Sequence, residues 1–155
     1  MIKSIAPRLA KRHSHRASRG VTLMELLVVI AILGIITAVA VPTYRKYLIR
    51  TQRSEAKIAL LQLQTAQEKF YMQNNSFTDD VDGAPPAGLG QMPRTESGKY
   101  DITVELDDDS QTYVATATPV AGGGQTDDTE CARFTITHRG VRGVSGTRDA
   151  QSCWR

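Results

Sequence analysis

The chain is poor in the residues from which active sites and metal centres are built. Its 155 residues include three histidines, two cysteines and one tryptophan. His13 and His15 sit among basic residues near the start, which leaves His138 as the only histidine in the remaining sequence. A tetrahedral zinc site takes four nitrogen, sulfur or oxygen ligands at characteristic spacing, and Cys131 and Cys153 without a nearby second pair do not supply it. His138 alternates with apolar residues and reads as an ordinary strand position. The triple Asp107-Asp108-Asp109 offers carboxylates, but it lacks the rest of a calcium loop and reads as a solvated turn. No nucleophile, base or ligand set remains, so the expectation is a non-enzyme with no metal and no cofactor. Asn74-Asn75-Ser76 fits a glycosylation sequon, a pattern too short to carry weight alone.

Acidic residues are absent from the first 20 positions, which hold Lys3, Arg8, Lys11, Arg12, Arg16 and Arg19. The formal charge of +3 therefore belongs mostly to this leader, and the rest of the chain is weakly acidic. Further on, residues 76–130 carry 12 acids against Arg94 and Lys99, whereas residues 131–155 carry Arg133, Arg139, Arg142, Arg148 and Arg155 against Asp149. An acidic middle and a basic end of this kind attract one another within a fold or between copies. The two cysteines, both beyond the leader, predict one disulfide, Cys131–Cys153, in an exported segment.

Charge is nearly absent from Val21 to Val41, where Glu25 alone interrupts an apolar run. A helix of that length spans about 32 Å and matches a hydrocarbon core of about 30 Å. The basic flank holds the amino end on the cytoplasmic side, so the remainder faces outward. Three readings fit. A secretory signal is suggested by Ala38-Val39-Ala40, a small-residue cleavage pattern. A single-pass anchor explains the length. Both leave Glu25 without a cation, and an intramembrane carboxylate costs roughly 2.5–3.5 kcal/mol and is functional by default. In the third, a cut between Gly20 and Val21 creates an α-ammonium one helical turn before Glu25, which can neutralise it within a chain or between chains.

The run Gly20-Val21-Thr22-Leu23-Met24-Glu25-Leu26-Leu27 resembles the prepilin cleavage motif of type IV pilins and pseudopilins. That resemblance implies cleavage after Gly20 by the prepilin peptidase, N-methylation of Val21, and use of Glu25 in processing and in pairing with a neighbouring subunit's amino terminus. Val21 stands where the family usually has Phe. Pro42, lacking an amide proton, together with Gly34 marks a stretch where the helix is expected to kink or soften.

Beyond Pro42, Ala56, Ala59, Leu60, Leu63, Ala66 and Phe70 recur at helical spacing, with Arg45, Lys46, Arg50, Arg53, Glu55 and Lys57 assigned to a solvated or intersubunit face. The helix is expected to fade at Asn74-Asn75. Gly83, Pro85-Pro86, Gly88, Gly90 and Pro93 make residues 76–98 a long loop. Alternation then predicts strands around Tyr100–Leu106, Tyr113–Pro119 and Phe134–His138, a flexible link at Gly122–Asp128, and a short fourth strand near Val144.

These elements predict an α+β fold: a long N-terminal helix packed against an antiparallel sheet of three or four strands. The expected division is a leader at 1–20, a membrane or filament-core helix at 21–42, an amphipathic helix at 43–75, and a head at 76–155. The run from Tyr113 to Pro119, the acids before Cys131 and the closing Cys153-Trp154 resemble PilE-type pilins. The resemblance implies a structural pilus subunit that moves from the inner membrane to a surface fibre serving twitching motility, adhesion or DNA uptake. Its implied partners are other pilins, the prepilin peptidase and the assembly machinery. The five tail arginines with Trp154 suggest two alternatives: DNA contact, as in DNA-receptor minor pilins, or contact of the arginines with a neighbour's acidic loop while Trp154 is merely buried beside the disulfide. A type II secretion pseudopilin shares the amino end. Mass spectrometry of the protein from cells should give a chain starting at Val21, with or without one methyl group, and a start at Val41 or an uncut chain would overturn the motif's reading.

Overall fold

The computed structural model describes residues 20–155, so the leader expected at 1–20 lies, but for Gly20, outside the described residues. The chain divides into two compact units with the boundary after Ala40. Helix α1, Leu23–Asn74, has Pro42 inside it, and its backbone is helical on both sides of the proline.

In the first unit, Thr22 caps α1. The Glu25 amide donates to its Oγ1 at 3.2 Å and the Leu26 amide to its carbonyl at 3.2 Å. Thr22 and Glu25 thus occupy the first and last positions of an S/T-x-x-E capping sequence, and the acid lies in the first turn, where the helix dipole favours negative charge. The side chains from Leu23 to Ala40 are exposed on every face, and the segment is long and apolar enough to cross a membrane.

In the second unit, α1 turns one stripe inward. Ala56, Leu60 and Leu63 are buried, with Ala59, Ala66 and Phe70 packed alongside, as their spacing predicts. The helix ends at Asn74. Asn75 takes φ 57°, a left-handed conformation that asparagine tolerates, and its amide closes the last turn on the Tyr71 carbonyl at 2.8 Å.

The sheet is a four-stranded antiparallel meander, β1 (Tyr100–Leu106), β2 (Tyr113–Pro119), β3 (Arg133–Thr137) and β4 (Arg142–Ser145), in spatial order 1-2-3-4. Register follows the period-two pattern: Ile102 pairs with Ala117 and Ala117 with Phe134, so buried residues stack on the face that receives α1. Thr103, Thr116 and Thr135 pair on the opposite face. The β1–β2 turn is held by its aspartates. Asp107 accepts from the Thr112 amide at 2.8 Å and Asp109 from the Gln111 amide at 3.1 Å. Among the described residues no cluster of acids, histidines or cysteines is suited to a metal.

The structure corrects two expectations. Arg53, assigned to a solvated or intersubunit face, is buried. Its Nε and one terminal nitrogen donate to Asp128 at 2.6 and 2.7 Å, and it reaches Glu130 at 3.2 Å. The Asp128 hydrogen bond is the main influence raising the guanidinium pKa. The reason lies in helical geometry, because Arg53 stands three residues before Ala56 and seven before Leu60 and so falls on the inward stripe. The glycine-rich link, expected to be flexible, instead forms a 3₁₀ turn at Gly124–Asp127 that buries Gln125. The Gln125 amide nitrogen donates to the Tyr100 hydroxyl at 2.7 Å and to the Ile49 carbonyl at 3.3 Å.

Asp128→Ala would strand a buried guanidinium, and breaking a buried pair costs about 3–5 kcal/mol. Urea unfolding should show this loss, and the pair Arg53→Met with Asp128→Leu should recover much of it. The buried Tyr113 hydroxyl has no hydrogen-bond partner in the described structure, and desolvation, then the Glu68 charge, pushes its pKa up to about 12. The folded state therefore favours the neutral phenol. Its contribution is complete below the unfolded tyrosine value of about 10 and is lost as pH rises from there to the folded value. Tyr113→Phe should hold stability at neutral pH and reduce the alkaline loss.

Candidate nucleic-acid interface

The carboxyl-terminal arginines occupy a hairpin and the short helix that closes it. β3 and β4 meet in a tight turn. The Gly140 amide donates to the Thr137 carbonyl at 2.8 Å, and the Thr137 amide to the Val141 carbonyl at 3.1 Å. Gly140 has φ 75°, a left-handed conformation in which a β-carbon is strained. The turn lies beside α1, since a β-carbon on Gly140 would stand 3.4 Å from Gln64 Nε2. Helix α2, Ala150–Trp154, follows β4 and is capped by Asp149, whose carboxylate accepts from the Ser152 amide at 2.8 Å. That bond is the leading cause of the lowered Asp149 pKa.

The disulfide Cys131–Cys153 forms, with the Cα atoms 5.9 Å apart. Closing this loop contributes about 3 kcal/mol on the chain-entropy model. It pins α2 to the segment preceding β3 and thereby seats Trp154. The indole N–H donates to the Gly143 carbonyl at 3.0 Å, the ring packs edge-on to Phe134 at 5.8 Å between centroids, and the Arg142 guanidinium lies 5.1 Å from its centroid. Trp154 is therefore not a free stacking platform for a base. It is buried against the sheet, and the partner of its π face is Arg142.

The remaining arginines separate by pairing. Arg148 reaches Glu130 at 3.4 Å. Arg133, Arg139, Arg142 and Arg155 make no ion pair among the described residues, and all are exposed. Arg133 projects from β3 on the face away from α1, in register with Ser145. Arg142, Arg155 and Lys57 gather at the β4 side. Trp154 underlies Arg142 and adjoins Arg155 in sequence, and Lys57 Nζ donates to the Arg155 carbonyl at 2.7 Å. Burial, followed by the charge of Arg53, lowers the Lys57 pKa. Arg139 stands at the hairpin tip and donates from Nε to His138 Nε2 at 3.2 Å. His138 lies beside the rings of Phe77 and Tyr113. Lys57 is legible in sequence only as one of a helix's basic residues, because its proximity to Arg155 spans most of the head.

The acidic segment divides differently. Asp128 and Glu130 satisfy Arg53 and Arg148, and Arg94 is held by Asp101 at 2.6 Å. Opposite charges do meet within the fold, through the helix residue Arg53 and, from the tail, through Arg148.

Residues 42–135 match the model of the family described as "Type IV minor pilin ComP, DNA uptake sequence receptor", and residues 15–41 match the prokaryotic N-terminal methylation motif. The chain belongs to the type IV pilins, within the ComP minor-pilin family. This pilin is 40% identical over 90 residues to the type IV major pilin protein PilA of Myxococcus xanthus, covering 56% of this chain and 41% of the relative. It is 35% identical over 105 residues to the type IV major pilin protein PilE1 of Neisseria gonorrhoeae, covering 68% of this chain and 59% of the relative. The pilin thus spans about half the length of the curated relatives it matches. A type IV pilin structure from Shewanella oneidensis aligns with 61% of this chain and 89% of its own, at 21% identity and a TM-score of 0.45. Pilins are structural proteins and not enzymes, and the N-terminal motif, the apolar helix and the carboxyl-terminal disulfide are those of the family.

Proposed function

We propose that this pilin is a minor subunit of a type IV pilus that contacts duplex DNA through the basic edge beside β4. The observation that carries the reading is the sorting of the tail cations. Arg139, Arg142 and Arg155 remain without carboxylate partners among the described residues, Arg142 lies over Trp154 and Lys57 meets the adjoining Arg155, although the same domain is acidic overall. Unpaired guanidinium groups along an edge are suited to phosphates, whose neutralisation releases counterions and supplies sequence-independent affinity. The family description, a receptor for a DNA uptake sequence, agrees with this use.

The amino end supplies assembly in this reading. The peptidase removes residues 1–20, Val21 becomes the methylated terminus, and the head stands outside the inner membrane until the subunit enters the fibre. Glu25 then pairs with the Val21 amine of a neighbour, and the apolar segments of many copies replace lipid with one another. Gly34 and Pro42 bracket the stretch where the helix can yield. A pseudopilin role is less well supported, because the match over residues 42–135 is to a pilus subunit family.

Wild-type protein should bind duplex with log K falling linearly in log salt. Replacing Arg139, Arg142 and Arg155 together by alanine should flatten that slope by about one for each phosphate that is no longer neutralised. Unchanged binding would mean that these arginines face another subunit. Glu25→Ala should insert into the membrane and be depleted from purified fibres, and fibre incorporation at the wild-type level would sink the pairing role.

A further inference from the structure

Within that proposed DNA surface, one arginine differs from the others in how it is held. The Arg142 guanidinium lies over the Trp154 indole. The indole is itself fixed by its bond to the Gly143 carbonyl, by edge contact with Phe134 and by the adjoining disulfide. A planar guanidinium stacked on a ring keeps its N–H edge free and has already lost much of the side-chain freedom that binding would otherwise remove. Arg139, Arg155 and Lys57 sit on no such ring in the described structure. The backbone behind Arg142 is constrained as well. Gly140 needs its left-handed φ, and a β-carbon on Gly143 would stand 2.5 Å from Thr135 Oγ1.

We infer that the β3–β4 hairpin carries the sequence-reading element of the DNA surface: Arg142, positioned by Trp154, donates in bidentate fashion to guanine O6 and N7 in the major groove. The inference rests on the DNA-binding reading proposed above. Guanine presents two acceptors in the major groove that match one guanidinium edge. Arg139, Arg155 and Lys57 then serve as phosphate contacts, which orient the head without reading bases. Trp154 is a positioning residue and touches no base.

The test uses the full chain in detergent micelles. Duplexes are selected from a randomised pool, and affinities are then measured for the enriched duplex and its single-base variants at several salt concentrations. The expected result is a site containing guanine, with a guanine-to-adenine change weakening binding roughly tenfold. Arg142→Lys keeps the charge and should leave the salt slope unchanged while most of that discrimination disappears. Trp154→Phe, which retains a ring but loses the tie to Gly143, should reduce discrimination at an unchanged slope. Duplex binding without base preference, or a guanine preference that survives Arg142→Lys, would overturn the hairpin's role and leave the DNA surface standing. Absence of any salt-dependent duplex binding would remove the DNA reading itself.

Discussion

The bond between Arg53 and Asp128 holds the head in the form that everything else uses. It joins the inward stripe of α1 to the turn before β3. Asp128 has further partners, for its Oδ1 also accepts from the Cys131 amide at 3.0 Å. From Cys131 the disulfide leads to Cys153, then to Trp154 and the guanidinium of Arg142. A charge buried on the helix is thereby linked, through successive contacts, to the exposed cation beside β4. Burying such a pair is not in itself a strong source of stability, since desolvation offsets most of the attraction. Its effect is to set one arrangement of helix against loop, because displacing either partner breaks a two-point bond between buried charges.

Glu25 has a role within its own chain. As the third residue of α1 it follows the Thr22 cap and sits where the helix dipole favours a carboxylate. This local role exists in a single chain, before any neighbour arrives. Intersubunit pairing with an amine at Val21 would use the same carboxylate without disturbing the cap, since the cap is made by the Thr22 hydroxyl and the Glu25 backbone. Capping and assembly therefore do not compete for the same atoms.

Much of the fold is legible in the sequence because it depends on periodicity. The stripe Ala56, Leu60, Leu63 and the alternation in Tyr100–Leu106 and Tyr113–Pro119 place apolar groups on one face whatever lies opposite. Asn74-Asn75 ends the helix as short amides do. Arg53 and the glycine-rich link at 122–128 escape a sequence reading for one reason: composition alone reports a cation as solvated and a triple glycine as loose. Both depend on partners far away in sequence, 75 residues in the case of Arg53 and Asp128. Gln125 is a polar residue in a polar stretch, and only the Tyr100 hydroxyl and the Ile49 carbonyl account for its burial.

By itself the sequence determined the features that are local: the cleavage-like motif before the apolar run, the order and type of the long helix and the four strands, the cysteine pair and the separation of acidic from basic segments. Each rests on neighbours in the chain or on a fixed repeat, so each can be read in one dimension. The tertiary structure decided which arginines are taken up by carboxylates and which stay exposed without one, and it decided that Trp154 is buried against the sheet. Those outcomes depend on Coulomb attraction and burial across residues distant in sequence. They are set only when helix, turn and disulfide have closed on one another.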